Sequence, residues 1–161
     1  MTSSDNDPIN PSKNLSVRTV LLPMKSEVDK MLRDHLETKS WIGMMDKIFK
    51  KRLLYDESNT FAAFEMLSKL LDNILDSGVY RIGRLRQLHK DIFKIYNNEQ
   101  SYYHGHLDLR DEYIKKISGG NPDAKALKSY NDYITHYEVV RIPVIGRLMK
   151  HAEELMRLVI K

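Results

Sequence analysis

The densest run of side chains able to do chemistry is Tyr102-Tyr103-His104-Gly105-His106-Leu107-Asp108-Leu109-Arg110-Asp111-Glu112. On a helix, His104, Asp108 and Asp111 fall at i, i+4 and i+7 and share one face. An imidazole and two carboxylates at that spacing could hold a divalent metal in a mixed nitrogen–oxygen site. The competing expectation is a water-facing polar side, with His106 on the opposite, packed side of the same helix. Gly105 stands inside the run and is expected to delay the start of a regular helix.

Two further histidines, His89 and His136, lie on or beside apolar helical stripes. One imidazole so placed in an all-α chain of this length could ligate a haem iron. The stretch His136-Tyr137-Glu138-Val139-Val140-Arg141-Ile142-Pro143 resembles the bend that follows the iron-binding histidine of the globins, and the resemblance covers that corner alone. An ordinary core-edge histidine with a hydrogen-bond partner is the alternative.

Cations gather between residues 79 and 96, which hold five basic side chains against one acidic, Asp91. Arg86, Lys90 and Lys94 follow at four-residue steps, with Arg81 and Arg84 nearby. Such a stripe could meet phosphates or an acidic protein surface. Charge over the whole chain leans the same way: residues 1–80 carry 11 basic and 12 acidic side chains, residues 81–161 carry 15 and 10. The net charge of +4 is nevertheless low for a protein whose task is phosphate binding. The nine tyrosines include Tyr102, Tyr103, Tyr113, Tyr130, Tyr133 and Tyr137 in neighbouring segments. Aromatics beside cations stack bases or supply protein interfaces, and they also pack core rims. Of the eight methionines, Met45 is expected in the core beside Trp41, whereas Met44 lies off the apolar stripe and suits an interface.

Several catalytic layouts are missing from the 161 residues. There is no glycine-rich phosphate loop, dinucleotide fingerprint, Gly-x-Ser-x-Gly elbow, Glu-x-x-His pair or His-Glu-x-x-His motif. Cysteine is absent, which removes disulfides, thiolate metal sites and thiol nucleophiles. No apolar run approaches the ~20 residues that a membrane-spanning helix requires. The amino-terminal residues MTSSDNDPINPSKN lack the basic start and apolar core of a secretion signal, so a cytoplasmic or nuclear location is expected.

The elements that must position these residues read as helices. Residues 1–22 are expected to form a flexible arm, rich in Ser, Asp, Asn and Pro, whose Leu15, Val17, Val20, Leu21 and Leu22 could dock; Pro23 is expected to end it. From Ser26, with Asp29 as a capping partner, a first helix carries Val28, Met31, Leu32 and Leu36. A second carries Trp41, Ile42, Met45, Ile48 and Phe49 and breaks at Asp56-Glu57-Ser58-Asn59. The third shows the broadest stripe, Phe61 to Leu75, with Gly78 placed for a left-handed ending. A fourth runs over about 79–96 to Asn97-Asn98, and a fifth over about 99–117 to Gly119-Gly120. Asn121-Pro122 opens a sixth through Tyr137. Pro143 breaks or kinks the chain before a last helix at about 144–160. The expected architecture is all-α, a single bundle of six or seven mostly antiparallel helices over 23–161. Ile82-Gly83-Arg84-Leu85 recurs as Ile145-Gly146-Arg147-Leu148, which could mark an old duplication.

The expected function is a non-enzymatic helical protein–protein interaction module: an adaptor, a regulator or a subunit of a larger assembly. Its partner is expected to be acidic or amphipathic and to meet Met44, Arg84, Arg86, Lys90, Lys94, Tyr102 and Tyr103. The alternatives are a helical domain holding a metal (His104, Asp108, Asp111, with His106 near) or a haem (His89, His136), and a nucleic-acid binder using Arg84, Arg86, Lys90 and Lys94.

Overall fold

The computed structural model describes residues 5–49, 53–117 and 124–160. After a 3₁₀ turn at Pro11–Lys13, helix α1 spans Asn14–Phe49, α2 Leu53–Ser77 and α3 Ile82–Ile117. The last helix is bent: α4 (Ala124–His136) passes through a π-helical turn at Tyr137–Arg141 into α5 (Ile142–Ile160). The fold is therefore all-α, as expected, but with four helices, one of them bent, in place of six or seven. They run up, down, up and down, and neighbours pack in the order α1, α2, α3, α5 and back to α1, which leaves α1 and α3 at opposite corners.

The breaks expected at Pro23 and at Asn97-Asn98 failed for identifiable reasons. Pro23 lies inside α1 on its exposed side, so the carbonyl of Thr19 that it leaves without a helical donor faces water. The inward spacing Val17, Leu21, Met24, Val28, Met31 continues unbroken through Asp34 and Thr38 to Ile42 and Met45. Ser26 and Asp29 are thus mid-helix, and Asp29 pairs with Lys25 at 3.3 Å instead of capping. In α3, Leu85, Leu88, Ile92 and Ile95 are followed inward by Glu99 and His106, and the helix runs straight past Asn97-Asn98 and Gly105. Polar residues at core positions had disguised two long helices as four short ones. Asp56–Asn59 likewise lies within α2.

Pro143 kinks the chain without breaking it. Ile142 N–H bonds to the Tyr137 carbonyl, the i+5 pattern of a π turn, and the helix resumes beyond the proline. Gly78, at φ +67°, does end α2 in the left-handed conformation. Gly119-Gly120 and Asn121-Pro122 lie outside the described residues.

The amino-terminal segment departs most from expectation. Residues 14–22 form the first turns of α1, where Val17, Val20 and Leu21 are buried. Ahead of them, Asn10 caps the 3₁₀ turn through its side chain, and Ile9 is buried in the core. Residues 5–9 lie antiparallel to residues 80–83, with Ile9 N–H bonded to Tyr80 O (2.8 Å), Ile82 N–H to Asp7 O (3.0 Å) and Gly83 N–H to Asp5 O (2.8 Å).

Two apolar clusters fill the interior. The larger combines Ile9, the first half of α1, α2, the first half of α3 and α5; the smaller combines Ile42 and Met45 with Tyr130, Tyr133, Ile134 and Tyr137 of the bent helix. Between them lies a layer of buried polar residues.

Candidate partner-binding surface

The polar layer is built from residues that the helical register forces inward. Glu99 is fully buried, and its carboxylate accepts from Arg141 Nη2 at 2.9 Å and from the Tyr137 hydroxyl at 2.8 Å. Arg141 also donates to the Tyr133 hydroxyl at 3.3 Å, and its guanidinium carbon lies 4.3 Å from the centre of the Tyr137 ring. A buried carboxylate is tolerable only when its charge and lone pairs are answered in this way. Above it, His106 Nδ1 and the Tyr130 hydroxyl share a hydrogen bond of 2.9 Å. Burial pushes the Tyr130 hydroxyl well above the ordinary phenol range despite the Arg110 charge, so it stays neutral. The cavity beside Arg141, lined by Asp34, His35 and Thr60, measures about 10 Å³, room for roughly one water. The layer locks α3 to the bend of the last helix.

The histidines divide between this interior and the surface. His136 Nε2 donates to Asp34 Oδ1 at 2.7 Å and its ring tilts toward Trp41, whose Nε1 donates to Ser129. His89 stacks on Phe93 along α3 at 6.5 Å. Neither lines the cavity beside Arg141 or the two clefts described below. His104, Asp108 and Asp111 are exposed, and Asp111 pairs with Arg110 at 3.7 Å. Among the described residues no three His, Asp or Glu side chains converge as a metal site would need.

The cations expected to meet a partner do form a surface. Arg86, Lys90, Lys94, Asn97, Ser101, His104, Asp108 and Asp111 succeed one another at three- and four-residue steps, and every one is exposed. They are the outward ridge of α3, basic at its amino-terminal end and acidic at Asp108 and Asp111, beyond which exposed Lys115 continues the spacing. The basic stripe and the suspected metal residues are thus two ends of one helix face. Among the described residues no carboxylate pairs with Arg84, Lys90 or Lys94, whereas Arg86 Nη1 lies 3.3 Å from Asp5 Oδ1. Beside the basic end, a cleft of about 710 Å³ opens between the amino-terminal segment (Asp5, Asn6), the end of α2 (Asn73, Ser77), Arg81 just ahead of α3, and α3 itself (Arg84, Gln87).

The remaining residues do not join that ridge. Tyr102 faces α2, lining a shallow cleft of about 80 Å³ with Asn59, Thr60 and Asn98. Tyr103 turns to the other flank, stacks on Tyr137 at 5.8 Å and bonds to Glu138. Burial, with that bond and the Glu138 charge, holds its hydroxyl above the usual phenol range. Met45 is buried and Met44 exposed, as their spacing predicts, but Met44 belongs to α1, at the corner opposite α3. There it continues an outward line of exposed Leu15, Leu22 and Leu36.

Sequence reasoning missed Glu99, Arg141 and Asp34. The available signal was positional: each falls on the inward three–four spacing of a stripe that is otherwise apolar.

Among known proteins, no family model, no curated protein and no solved structure matches the chain, so its surface chemistry carries the functional reading.

Proposed function

We propose that the protein is a non-enzymatic helical interaction module whose basic α3 face receives an acidic protein segment. The observation that carries this reading is the exposed ridge Arg86, Lys90 and Lys94 with Arg84 beside it, of which only Arg86 has a carboxylate partner among the described residues. Unanswered cations on one rigid helix face raise the local concentration of anionic partners and orient their approach. The adjoining cleft gives a bound segment room to lie against the helix rather than hover over it. Phe93, half exposed on the same helix, supplies an apolar contact for an amphipathic partner.

Titration with fluorescein-labelled hexaglutamate, read by anisotropy, tests the reading. Binding should weaken several-fold as salt rises from about 0.05 to about 0.2 M, and Lys90→Glu with Lys94→Glu should abolish it without altering the thermal melt. Salt-independent binding, or binding that survives the charge reversal, contradicts the proposal. Tighter binding of a DNA duplex than of the peptide at equal salt would reassign the ridge to nucleic acid.

A further inference from the structure

The acidic amino-terminal segment already sits on the basic end of α3. Asp5 places its carboxylate on Arg86 at 3.3 Å, and the Asn6 carbonyl accepts from Arg81 Nη1 at 2.6 Å. The backbone of the segment answers two amides in the first turn of α3, Ile82 and Gly83, that have no partner within the helix. Residue 83 must be glycine for this approach: a Cβ there would lie 2.6 Å from the Asp5 Cβ and 2.8 Å from the Asp5 carbonyl oxygen. The anchor, by contrast, is Ile9, buried in the core two residues after Asp7. Asp5 is itself largely exposed, and its ion pair with Arg86 is a surface one, the kind that exchanges readily for another carboxylate.

We propose that residues 5–7 act as an intramolecular acidic ligand that competes with the partner for Arg81, Arg86 and the adjoining cleft. The proposal rests on the assignment of this face to an acidic partner and adds its regulation. Releasing the segment frees two arginines and removes the Asp5 and Asp7 charges from the approach, while Ile9 keeps the chain tethered. Partner and segment exclude each other, so each weakens the other's hold by the same factor.

The test uses the full-length chain with two readouts: amide exchange at Ile82 and Gly83 for the segment, and hexaglutamate affinity for the face. Gly83→Ala removes no cation and should expose both amides to exchange while tightening hexaglutamate binding several-fold. Asp5→Lys, which turns the self-contact repulsive without touching α3, should tighten binding in the same direction. Saturating hexaglutamate should speed exchange at Ile82 and Gly83 in the unaltered protein. Amides that exchange faster in Gly83→Ala with unchanged hexaglutamate affinity would overturn the competition alone. Amides that stay protected in that variant would overturn the steric account of the segment. Absence of hexaglutamate binding in all three proteins would overturn the face assignment and the competition with it.

Discussion

A Cβ at position 83 would strike Asp5, whereas one at position 146 would meet nothing within 4 Å, although both glycines stand in the sequence Ile-Gly-Arg-Leu. The two copies share their inward residues, since Ile82, Leu85, Ile145 and Leu148 are all buried. They differ in what approaches from outside. Gly146→Ala should therefore stabilise the protein by roughly 0.5–1 kcal/mol, the helical cost of glycine relative to alanine, as read by urea denaturation. The arginines differ too: Arg84 borders the cleft, while Arg147 makes two bonds to Glu27, at 3.0 and 3.1 Å, tying α5 to α1. Burial raises the Glu27 carboxyl, but the Arg147 bond and charge, with Lys30, outweigh it and hold Glu27 below the ordinary carboxylate range. A carboxyl lowered on folding contributes stability above its unfolded value, and that contribution is lost as pH falls through the folded one. Stability should thus drop on acidification below about pH 4.5, less steeply in Glu27→Gln; identical acid profiles for the two proteins would contradict this. At this scale the sequence was readable wherever one residue's type and neighbours decide its place. Met45 in and Met44 out follow from stripe position, and Gly78 from the helix ending it supplies.

Helix lengths were harder to read, because the decisive residues break the apolar code while keeping its period. Asp34 and Thr38 carry α1 across a gap between two apolar runs, as Glu99 and His106 do for α3. A buried carboxylate is rare enough that a polar residue in a stripe reads as an interruption, and only the arginine supplied by another helix makes Glu99 tolerable there. That partner is 42 residues distant, beyond any local pattern. Pro23 misled in the opposite sense: it occupies a water-facing site and does not end its helix, whereas Pro143 kinks the chain, as its type predicts, with a π turn absorbing the bend. The Glu99–Arg141 pair should then behave as a buried ion pair in mutation. Glu99→Leu or Arg141→Met should each cost about 3–5 kcal/mol, because each strands a buried charge. Glu99→Leu combined with Arg141→Met should recover much of that loss, leaving a deficit of about 1–3 kcal/mol for the Tyr133 and Tyr137 hydroxyls that lose partners. Urea unfolding of the three variants measures the coupling, and strictly additive losses would show that the pair is not a unit.

For the molecule as a whole, the up-down arrangement decides which exposed features can act together. It places the outward line of Leu15, Leu22, Leu36 and Met44 on α1 and the basic ridge on α3 at opposite corners, so one small partner cannot cover both. The sequence made each feature visible separately, but not their separation, which depends on how the helices close into a ring. Tyr102 and Tyr103, adjacent in the chain, part for a similar reason: successive helical residues are ~100° apart, and here they flank α3 on two sides. The ridge that remains is basic where α3 begins and acidic around Asp108 and Asp111, with the amino-terminal segment seated at the basic end. The most direct test of the account is an amide chemical-shift map of the full-length protein during hexaglutamate titration. The account predicts saturable shifts concentrated in residues 81–97, with Ile82 and Gly83 among the largest. Shifts centred on the Leu36–Met44 face of α1, or on the acidic stretch of α3 around Asp108, would contradict it.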